Sequence, residues 1–268
     1  MLCLFINLER SFDRRLFMEN ELSQFKIPFE RIKAIDGRFL SDEFISEIAA
    51  KQFSAKKAWF PYHLIHNEYA CFLSHKKCWE RLINSDHEYA SILEDDIILT
   101  AESTKYLSNS EWIPQKVQLL SLCAPLEPKI FRVKNQRTNL PPQYNGSLYE
   151  IISPPITSAA AYIISKDAAK VALKLTDKIS APVDEFLFSP KSPLRSHFPI
   201  FKLNPGIGYQ RCINSTITDL PRNGSKPFLS RLHPIAILYK IKLTYLELKY
   251  RKQISFFTPN SKSHNTLH

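Results

Sequence analysis

Short apolar runs alternate along the chain with longer stretches of helical periodicity, and this alternation predicts an α/β fold. The first apolar run, at residues 2–8, predicts a buried strand, and residues 11–25 have the pattern of a helix. A second strand is predicted at residues 29–35. A strand, a helix and a strand in this order form a βαβ unit, whose crossover is expected to be right-handed.

The same alternation continues to about residue 203. Three more helices are predicted, at residues 41–52, 69–84 and 166–175. Five more strands are predicted, at residues 91–93, 117–122, 149–152, 159–165 and 200–203. Residues 125–142, in contrast, are rich in proline and basic side chains, which predicts a long loop.

Three consecutive carboxylates, Glu94, Asp95 and Asp96, separate two apolar runs. Because ionised carboxylates are costly to bury unpaired, we expect them at the end of a strand, where open α/β sheets bind ligands. Acids this close repel one another unless a cation neutralises them. Mg²⁺ and Mn²⁺ take oxygen ligands and can bridge to phosphates. The triplet therefore indicates either a metal site or, with equal weight, a solvated acidic turn.

Three arginines, Arg10, Arg14 and Arg15, cluster at the beginning of the first predicted helix. Basic side chains are not favoured at the positive end of a helix dipole. Either an anion therefore lies close to these arginines, or they form a solvated surface face, which is the commoner arrangement.

Positive charge is concentrated at the end of the chain. The formal net charge is +10, and the residues from Ser225 onwards carry eight basic residues against one acidic residue, a net +7. The rest of the chain is close to neutral, which argues against an extended nucleic-acid surface. Residues 231–253 have a helical pattern in which lysines alternate with apolar residues. Such a helix suits either an anionic membrane surface or packing against the main domain.

Cysteine usage and the beginning of the chain bear on its compartment. The five cysteines form no C-x-x-C pair, which favours reduced thiols and gives no paired spacing for zinc. The first apolar run is too short for a signal peptide, and no stretch approaches the roughly 20 apolar residues that a membrane span needs. We therefore expect a cytoplasmic protein.

A second acidic pair, Asp184 and Glu185, lies beside an apolar run. This pattern fits transfer of a group from a nucleotide diphosphate. The first group of acids would hold a metal ion, and a carboxylate of the second pair could deprotonate an acceptor hydroxyl. The chain contains no G-x-x-x-x-G-K-[ST], G-x-G-x-x-G or G-x-S-x-G motif, which disfavours P-loop kinases, Rossmann dinucleotide enzymes and α/β-hydrolases. A basic nucleic-acid-binding protein with an inactive α/β domain is the alternative from a different class.

Several short stretches share their order and spacing with a known family. They are residues 6–11 with Arg14 and Arg15, residues 27–29 and 34–37, residues 68–75 with Trp79, residues 92–96, residues 161–165 with 182–184, and more weakly Pro205, Gln210 and residues 215–217. In these stretches the chain resembles glycosyltransferase family 25, which includes the bacterial lipooligosaccharide galactosyltransferases. The basic C-terminal segment lies outside the resemblance.

The resemblance implies a GT-A fold for residues 1–225, an α/β nucleotide-sugar-binding domain with a mixed, mostly parallel central sheet flanked by helices. The charge pattern adds a basic amphipathic helical extension at residues 226–253 and a flexible tail at residues 254–268.

The resemblance also implies a UDP-sugar donor, inversion at the anomeric carbon and a divalent cation, Mn²⁺ or Mg²⁺. The expected metal ligands are Glu94 and Asp96. The residues expected near the donor nucleotide are Asn7, Arg10, Asp36, Ser74, His75 and Asp95. From their positions, Asp184 is the candidate general base and Gln210 the candidate sugar or acceptor contact.

Four of these residues have ordinary structural explanations when each is considered alone. Asp36 could begin a turn, His75 could be a buried helix histidine, Asp184 could cap a helix, and Gln210 could be a surface residue.

We therefore expect transfer of galactose from UDP-galactose to a lipooligosaccharide or lipopolysaccharide acceptor. The expected location is the inner face of the bacterial inner membrane, with the basic C-terminal segment near anionic lipid. UDP-glucose is the alternative donor for the same acceptor class. No nucleic-acid partner is expected, and no sequence feature specifies an oligomeric state.

Overall fold

The βαβ unit at the beginning of the chain is present in the computed structural model, which describes residues 1–49, 63–125, 129–211 and 253–256. It consists of β1 (Leu2–Asn7), α1 (Phe12–Gln24) and β2 (Glu30–Lys33). The two strands pair in parallel. All residues of β1 except the first are buried, which explains why its apolar run shows no alternation.

The other elements follow in chain order, and most agree with the predicted positions to within a few residues. The strands are β3 (Tyr89–Glu94), β4 (Ile97–Leu99), β5 (Leu119–Ser121), β6 (Lys129–Asn139), β7 (Ser147–Ser153), β8 (Ala161–Ser165), β9 (Phe201–Asn204), β10 (Gly208–Gln210) and β11 (Gln253–Phe256). The helices are α2 (Asp42–Ile48), α3 (His66–Ile83), α4 (Ser103–Leu107), α5 (Lys166–Leu175) and α6 (Val183–Phe188). A short 3₁₀ helix, Gly37–Phe39, follows β2.

The central sheet has nine strands in the order β11-β6-β7-β9-β5-β8-β3-β1-β2, and β10 pairs separately with β4. Strand β1 is parallel to both neighbours, and β5 is parallel to β9. The other neighbours in the sheet are antiparallel. The sheet is mixed, as predicted, but antiparallel pairs are the majority among the described strands, so the expectation of a mostly parallel sheet was wrong. Strand β8, which runs antiparallel between β3 and β5, forms two of the antiparallel pairs, and β6 and β7 form the others.

The segment predicted as a long loop is largely a strand. Strand β6 pairs antiparallel with β7 along an irregular register. Within it Phe131 and Val133 are buried, whereas Ile130 and Lys134 on either side of them are exposed and Arg132 between them is partly exposed. This period-two pattern indicates a strand with one face on the core. The basic side chains and the prolines that flank the segment concealed it.

Apolar side chains cover both faces of the sheet, and helices pack on each face. On one side the buried cluster includes Phe72 and Trp79 of α3 and Phe186 of α6. On the other side Met18 and Leu22 of α1 belong to one buried cluster with side chains of strand β1. Helices therefore flank a mixed sheet, and the α/β fold class is confirmed.

The predicted C-terminal segments lie mostly outside the described residues, so the amphipathic helix and the domain boundaries remain predictions. Strand β11 pairs antiparallel with β6 at one edge of the sheet. It crosses the boundary predicted between the helical extension and the flexible tail. Within the described ranges, no helix combines the length and the apolar character that crossing a membrane requires. The four cysteines in these ranges, Cys3, Cys71, Cys78 and Cys123, are free thiols.

Candidate functional site

The acidic triplet lies at the edge of the sheet where the parallel strands β1 and β3 end. Ile6 pairs with Glu94, so Asn7 and Asp95 come next to each other immediately beyond the pairing. A cavity opens at this edge. It is lined by nine of the predicted site residues: Asn7, Arg10, Asp36, Ser74, His75, Glu94, Asp95, Asp96 and Gln210. Among the residues that the structure describes, Asp184 is the one predicted site residue that does not line it.

Asp95 is held by two donors from the first βαβ unit. The Arg14 Nη1 group donates to Asp95 Oδ1 at 2.8 Å, and Asn7 Nδ2 donates to Asp95 Oδ2 at 2.7 Å. Burial raises the pKa of the Asp95 carboxyl, and the Arg14 charge and the Asn7 hydrogen bond oppose that rise. Both oxygens are therefore committed within the protein. Asp95 organises the cavity wall, and this arrangement leaves Asp96 and Glu94 as the more available carboxylates.

Asp96 has one oxygen in use and one unused. Gln210 Nε2 donates to Asp96 Oδ2 at 3.1 Å, and Arg14 Nη2 lies 3.5 Å from the same oxygen. Asp96 Oδ1 is buried and has no hydrogen-bond partner among the described residues. Burial and the nearby charges of Glu94 and Asp95 raise the pKa of Asp96 to about 6. An unpartnered carboxylate oxygen in an acidic cavity fits the ligand chemistry of a divalent cation.

Gln210 reaches the site because β10 pairs with β4, the strand that directly follows the acidic triplet. In that pairing Gln210 lies opposite Ile97. A Cβ atom on Gly208 would lie 2.5 Å from the backbone oxygen of Ile98, so this close approach requires glycine. The position of Gln210 is thus set by backbone pairing and is not that of a loose surface residue.

Glu94 forms the third corner of the acidic group and contacts helix α3. Its Oε1 atom lies 3.4 Å from His75 Nε2. The other ring nitrogen of His75 lies 3.0 Å from the Tyr162 hydroxyl, which also accepts a hydrogen bond from Trp79 Nε1 at 2.9 Å. The His75 imidazole is thereby oriented with Nε2 towards Glu94.

Arg10 and Asp36 also line the cavity and are paired with each other. Arg10 Nε donates to Asp36 Oδ2 at 2.8 Å, and Arg38 Nη2 donates to the same oxygen at 2.7 Å. These hydrogen bonds, with that of Arg38 the strongest, hold the pKa of Asp36 down at about 2. Asp36 also accepts from the Arg38 backbone N–H and caps the 3₁₀ helix. It therefore serves as the predicted turn residue and at the same time positions the Arg10 guanidinium group at the cavity.

Ser74 lines the cavity, but its hydroxyl is already in use. It accepts a hydrogen bond from Ile35 N at 2.9 Å and donates one to Ala70 O at 2.7 Å. These bonds fasten the segment after β2 to α3. Ser74 therefore acts through the position of neighbouring residues such as Asp36.

Asp184 lies near the acidic group but outside the cavity wall. It is the second residue of α6, and its Oδ1 atom accepts a hydrogen bond from Glu185 N at 2.9 Å. Burial raises the pKa of Asp184 to about 6, and the charges of Glu185 and Glu94 add to the rise. The structure thus places Asp184 within electrostatic reach of Glu94.

Among the cavity residues without a role assigned from the sequence, Arg14 and Cys71 bear on the chemistry of the site. The signal for Arg14 was its unfavourable place in the first turn of α1, for which a nearby anion was one of two explanations and a solvated surface face the commoner one. Asp95 is that anion, and Asp36 is the anion for Arg10. Arg15 instead pairs with Glu19 along the helix surface. The signal for Cys71 was its spacing of four residues before His75, which places both on one helix face.

Comparisons with known proteins agree with the resemblance. The lipooligosaccharide biosynthesis protein lex-1 of Haemophilus influenzae is 30% identical over 173 residues, which cover 62% of this chain and 54% of that protein. The lacto-N-neotetraose biosynthesis glycosyltransferase LgtB of Neisseria meningitidis is 25% identical over 210 residues, 75% of this chain and 72% of that protein. Procollagen galactosyltransferase 1-B of Xenopus laevis is 34% identical over 95 residues, 34% of this chain and 15% of that protein.

The chain spans about half the length of the first of these relatives. The sequence model of the family described as glycosyltransferase family 25 (LPS biosynthesis protein) matches residues 1–187, well over half of this chain. That range contains eight of the nine predicted residues that line the cavity, and only Gln210 lies beyond it. The chain belongs to glycosyltransferase family 25.

Proposed function

We propose that this protein transfers galactose from UDP-galactose to a lipooligosaccharide or lipopolysaccharide acceptor, with inversion at the anomeric carbon and with Mn²⁺ or Mg²⁺ bound. The observation that carries the proposal is the unpartnered Asp96 Oδ1 beside Glu94, in a cavity that Arg10 and Arg14 also line. Carboxylate oxygens suit the cation, and guanidinium groups suit a diphosphate. We assign the domain to the GT-A type on this arrangement together with the family membership.

The names of the relatives support the proposed acceptor and donor classes. The names of lex-1 and LgtB refer to lipooligosaccharide and lacto-N-neotetraose biosynthesis, and that of the Xenopus protein refers to galactosyl transfer. UDP-glucose remains the alternative donor, because no described contact distinguishes the two hexoses.

Most of the charged and polar residues that line the cavity have a role in this proposal. Glu94 and Asp96 would hold the cation, which when bound neutralises the charge that develops on the leaving diphosphate. Arg10, oriented by Asp36, lies where it can donate to phosphate oxygens. Asn7 and Arg14 keep Asp95 fixed between the two strand ends. Gln210 holds Asp96 Oδ2 by a hydrogen bond, which would leave the other oxygen of Asp96 free to bind the cation.

Inversion requires a base on the acceptor side, because the acceptor hydroxyl attacks the anomeric carbon directly and must lose its proton. The candidate is Asp184, since a pKa of about 6 suits a base that works near neutral pH. As a base it must be ionised, so turnover should rise with pH through about 6 and then level off.

Asp184→Asn should lower kcat by about a hundredfold or more, the usual effect of losing a general base, and should leave UDP affinity nearly unchanged. It should also abolish the rise of turnover through pH 6. Steady-state kinetics over pH 5–9 and calorimetric titration of UDP measure the two effects. Glu185→Gln, at the next position, is the matched control. If Asp184→Asn retains normal turnover, another residue is the base.

The experiment that tests the proposed function is a thermal-shift panel of nucleotide sugars, each with and without Mn²⁺. UDP-galactose with Mn²⁺ should raise Tm most, because a ligand that binds only the folded state stabilises it. UDP-glucose and GDP-mannose serve as comparison donors. A larger effect of UDP-glucose would assign glucose as the donor. No shift with any UDP-sugar, together with salt-dependent binding of DNA or RNA, would instead support the nucleic-acid alternative.

We assign the protein to the inner face of the bacterial inner membrane as a peripheral protein. The support is the net +7 charge from Ser225 onwards, which anionic lipid would attract by about 1 kcal/mol for each basic residue at the surface. Deletion of the chain after Pro227 should weaken sedimentation with anionic vesicles at low salt. Neutral phosphatidylcholine vesicles are the control. Undiminished binding of the shortened chain would place the membrane contact elsewhere.

A further inference from the structure

A second kind of metal-binding group lies in the same cavity. Cys71 and His75 are four residues apart on α3, so their side chains lie on one face of the helix. Glu94, the last residue of β3, faces them from the sheet. One ligand atom from each of these three residues lies within 4.8 Å of the other two. A thiol, an imidazole and a carboxylate thus converge at one place.

The imidazole is already oriented as a ligand. Its Nε2 atom faces Glu94 Oε1 at 3.4 Å, while Nδ1 lies 3.0 Å from the Tyr162 hydroxyl. Tyr162 is itself held by Trp79 Nε1 at 2.9 Å. Metal-binding histidines usually have their second ring nitrogen fixed by such an outer partner, which determines the tautomer and the direction of the ring. His75 is almost fully buried, so this orientation does not depend on solvent.

We propose that Cys71 Sγ, His75 Nε2 and a Glu94 carboxylate oxygen bind one thiophilic divalent cation, such as Zn²⁺, with its fourth position open to the cavity. Zinc takes sulfur, nitrogen and oxygen ligands in a tetrahedral arrangement at about 2.0–2.3 Å, so its ligand atoms lie within about 4 Å of one another. Small side-chain rotations would bring the three atoms from their present separations to that geometry. The soft thiol distinguishes the site from one suited to Mg²⁺ or Mn²⁺.

Zinc at this site would also affect the acidic group. Glu94 is shared between the three-residue site and the pair formed by Glu94 and Asp96. Bound Zn²⁺ would withdraw Glu94 from that pair and place a cation beside Cys71 and His75. Competition between Zn²⁺ and Mn²⁺ through Glu94 rests on the proposed function, whereas binding of zinc by the three residues does not.

The test uses Co²⁺ as a spectroscopic probe on the unaltered chain of 268 residues, without any nucleotide sugar. One equivalent of Co²⁺ should give a thiolate-to-cobalt charge-transfer band, and Zn²⁺ should remove it by displacement. Cys71→Ser should lose the band, and its Zn²⁺ affinity should fall by more than the roughly 10-fold to 100-fold expected for loss of an outer partner. Tyr162→Phe should keep the band and weaken Zn²⁺ binding within that smaller range.

Cys78→Ala is the matched control, because Cys78 lies on the same helix and is buried in the core away from the cavity. It should retain both the band and the zinc affinity. Thermal unfolding in metal-free buffer first establishes that each variant folds. If Cys71→Ser fails to fold, alkylation of the unaltered protein followed by mass spectrometry tests the proposal instead. Bound Zn²⁺ should protect Cys71 from the alkylating reagent.

A cobalt–thiolate band that persists in Cys71→Ser, or alkylation of Cys71 that Zn²⁺ does not slow, would overturn the proposal. Neither result would bear on sugar transfer, because neither measurement involves a donor or an acceptor. Conversely, loss of the UDP-galactose thermal shift would leave the zinc site intact.

Discussion

Asp96→Asn should lower sugar transfer by about a hundredfold or more, the scale of losing a group that stabilises transition-state charge. The substitution removes the charge of the carboxylate whose Oδ1 atom has no protein partner and is proposed to bind the cation. The fold should be nearly unaffected, because the new amide oxygen can still accept from Gln210 Nε2. Burial and, after it, repulsion from Glu94 and Asp95 raise the pKa of Asp96, so loss of its charge also relieves that repulsion. Release of UDP at saturating Mn²⁺ measures the effect, and thermal unfolding measures the stability.

Asp86→Asn is the matched control for this substitution, because Asp86 is exposed in the turn before β3 and lies outside the cavity. It should leave both transfer and Tm unchanged. Normal turnover of Asp96→Asn in the presence of metal would remove Asp96 from the proposed metal site. A large fall in Tm would instead show that Asp96 serves the fold.

Arg14→Met should destabilise the metal-free protein by about 3 kcal/mol or more, because removing one partner of a buried ion pair leaves the other charge uncompensated. The side chain of Arg14 is 16% exposed and that of Asp95 9%, so solvent screens the pair little. For a chain of this size the loss corresponds to a fall in Tm of roughly 6 °C or more. Differential scanning calorimetry in the presence of a chelator measures it.

Mn²⁺ should raise the Tm of Arg14→Met by more than it raises that of the unaltered protein, because a bound cation replaces the missing positive charge beside Asp95 and Asp96. Arg15→Met is the control at the adjacent position. Arg15 pairs with Glu19 on the exposed helix surface, and such pairs contribute at most about 1 kcal/mol. Equal Mn²⁺ effects on Arg14→Met and the unaltered protein would show that Arg14 and the cation do not substitute for each other.

Local patterns predicted the elements that build the cavity. The apolar run of β1 reflects a strand that is buried on both faces, and the helical period of α1 and α3 reflects one buried face of each helix. Both patterns can be read from consecutive residues. The end of β3 was predictable because carboxylates cannot continue a buried strand. Nine of the ten predicted site residues line the cavity, although their individual roles remain predictions.

The predictions failed in two places: at β6, where strand alternation and loop-like composition gave opposite indications, and at β8, where the direction of the strand in the sheet was not predicted. In β6 the alternation of Phe131 and Val133 with polar residues was outweighed by the basic and proline-rich composition around it. The antiparallel placement of β8 between β3 and β5 has no local signature, because an antiparallel and a parallel buried strand share the same apolar composition. The number of parallel pairs was therefore overestimated.

The sequence by itself determined the fold class, the family and the position of the acidic triplet at the end of a strand, because burial periodicity and motif spacing are local properties. Only the tertiary structure decided which partners those acids have. Asp95 meets Arg14 from 81 positions earlier, and Asp96 meets Gln210 from 114 positions later. It also brought Cys71 and His75 to Glu94 and left Asp184 outside the cavity wall. Contacts between side chains so distant in sequence depend on strand order and register, which no local pattern specifies.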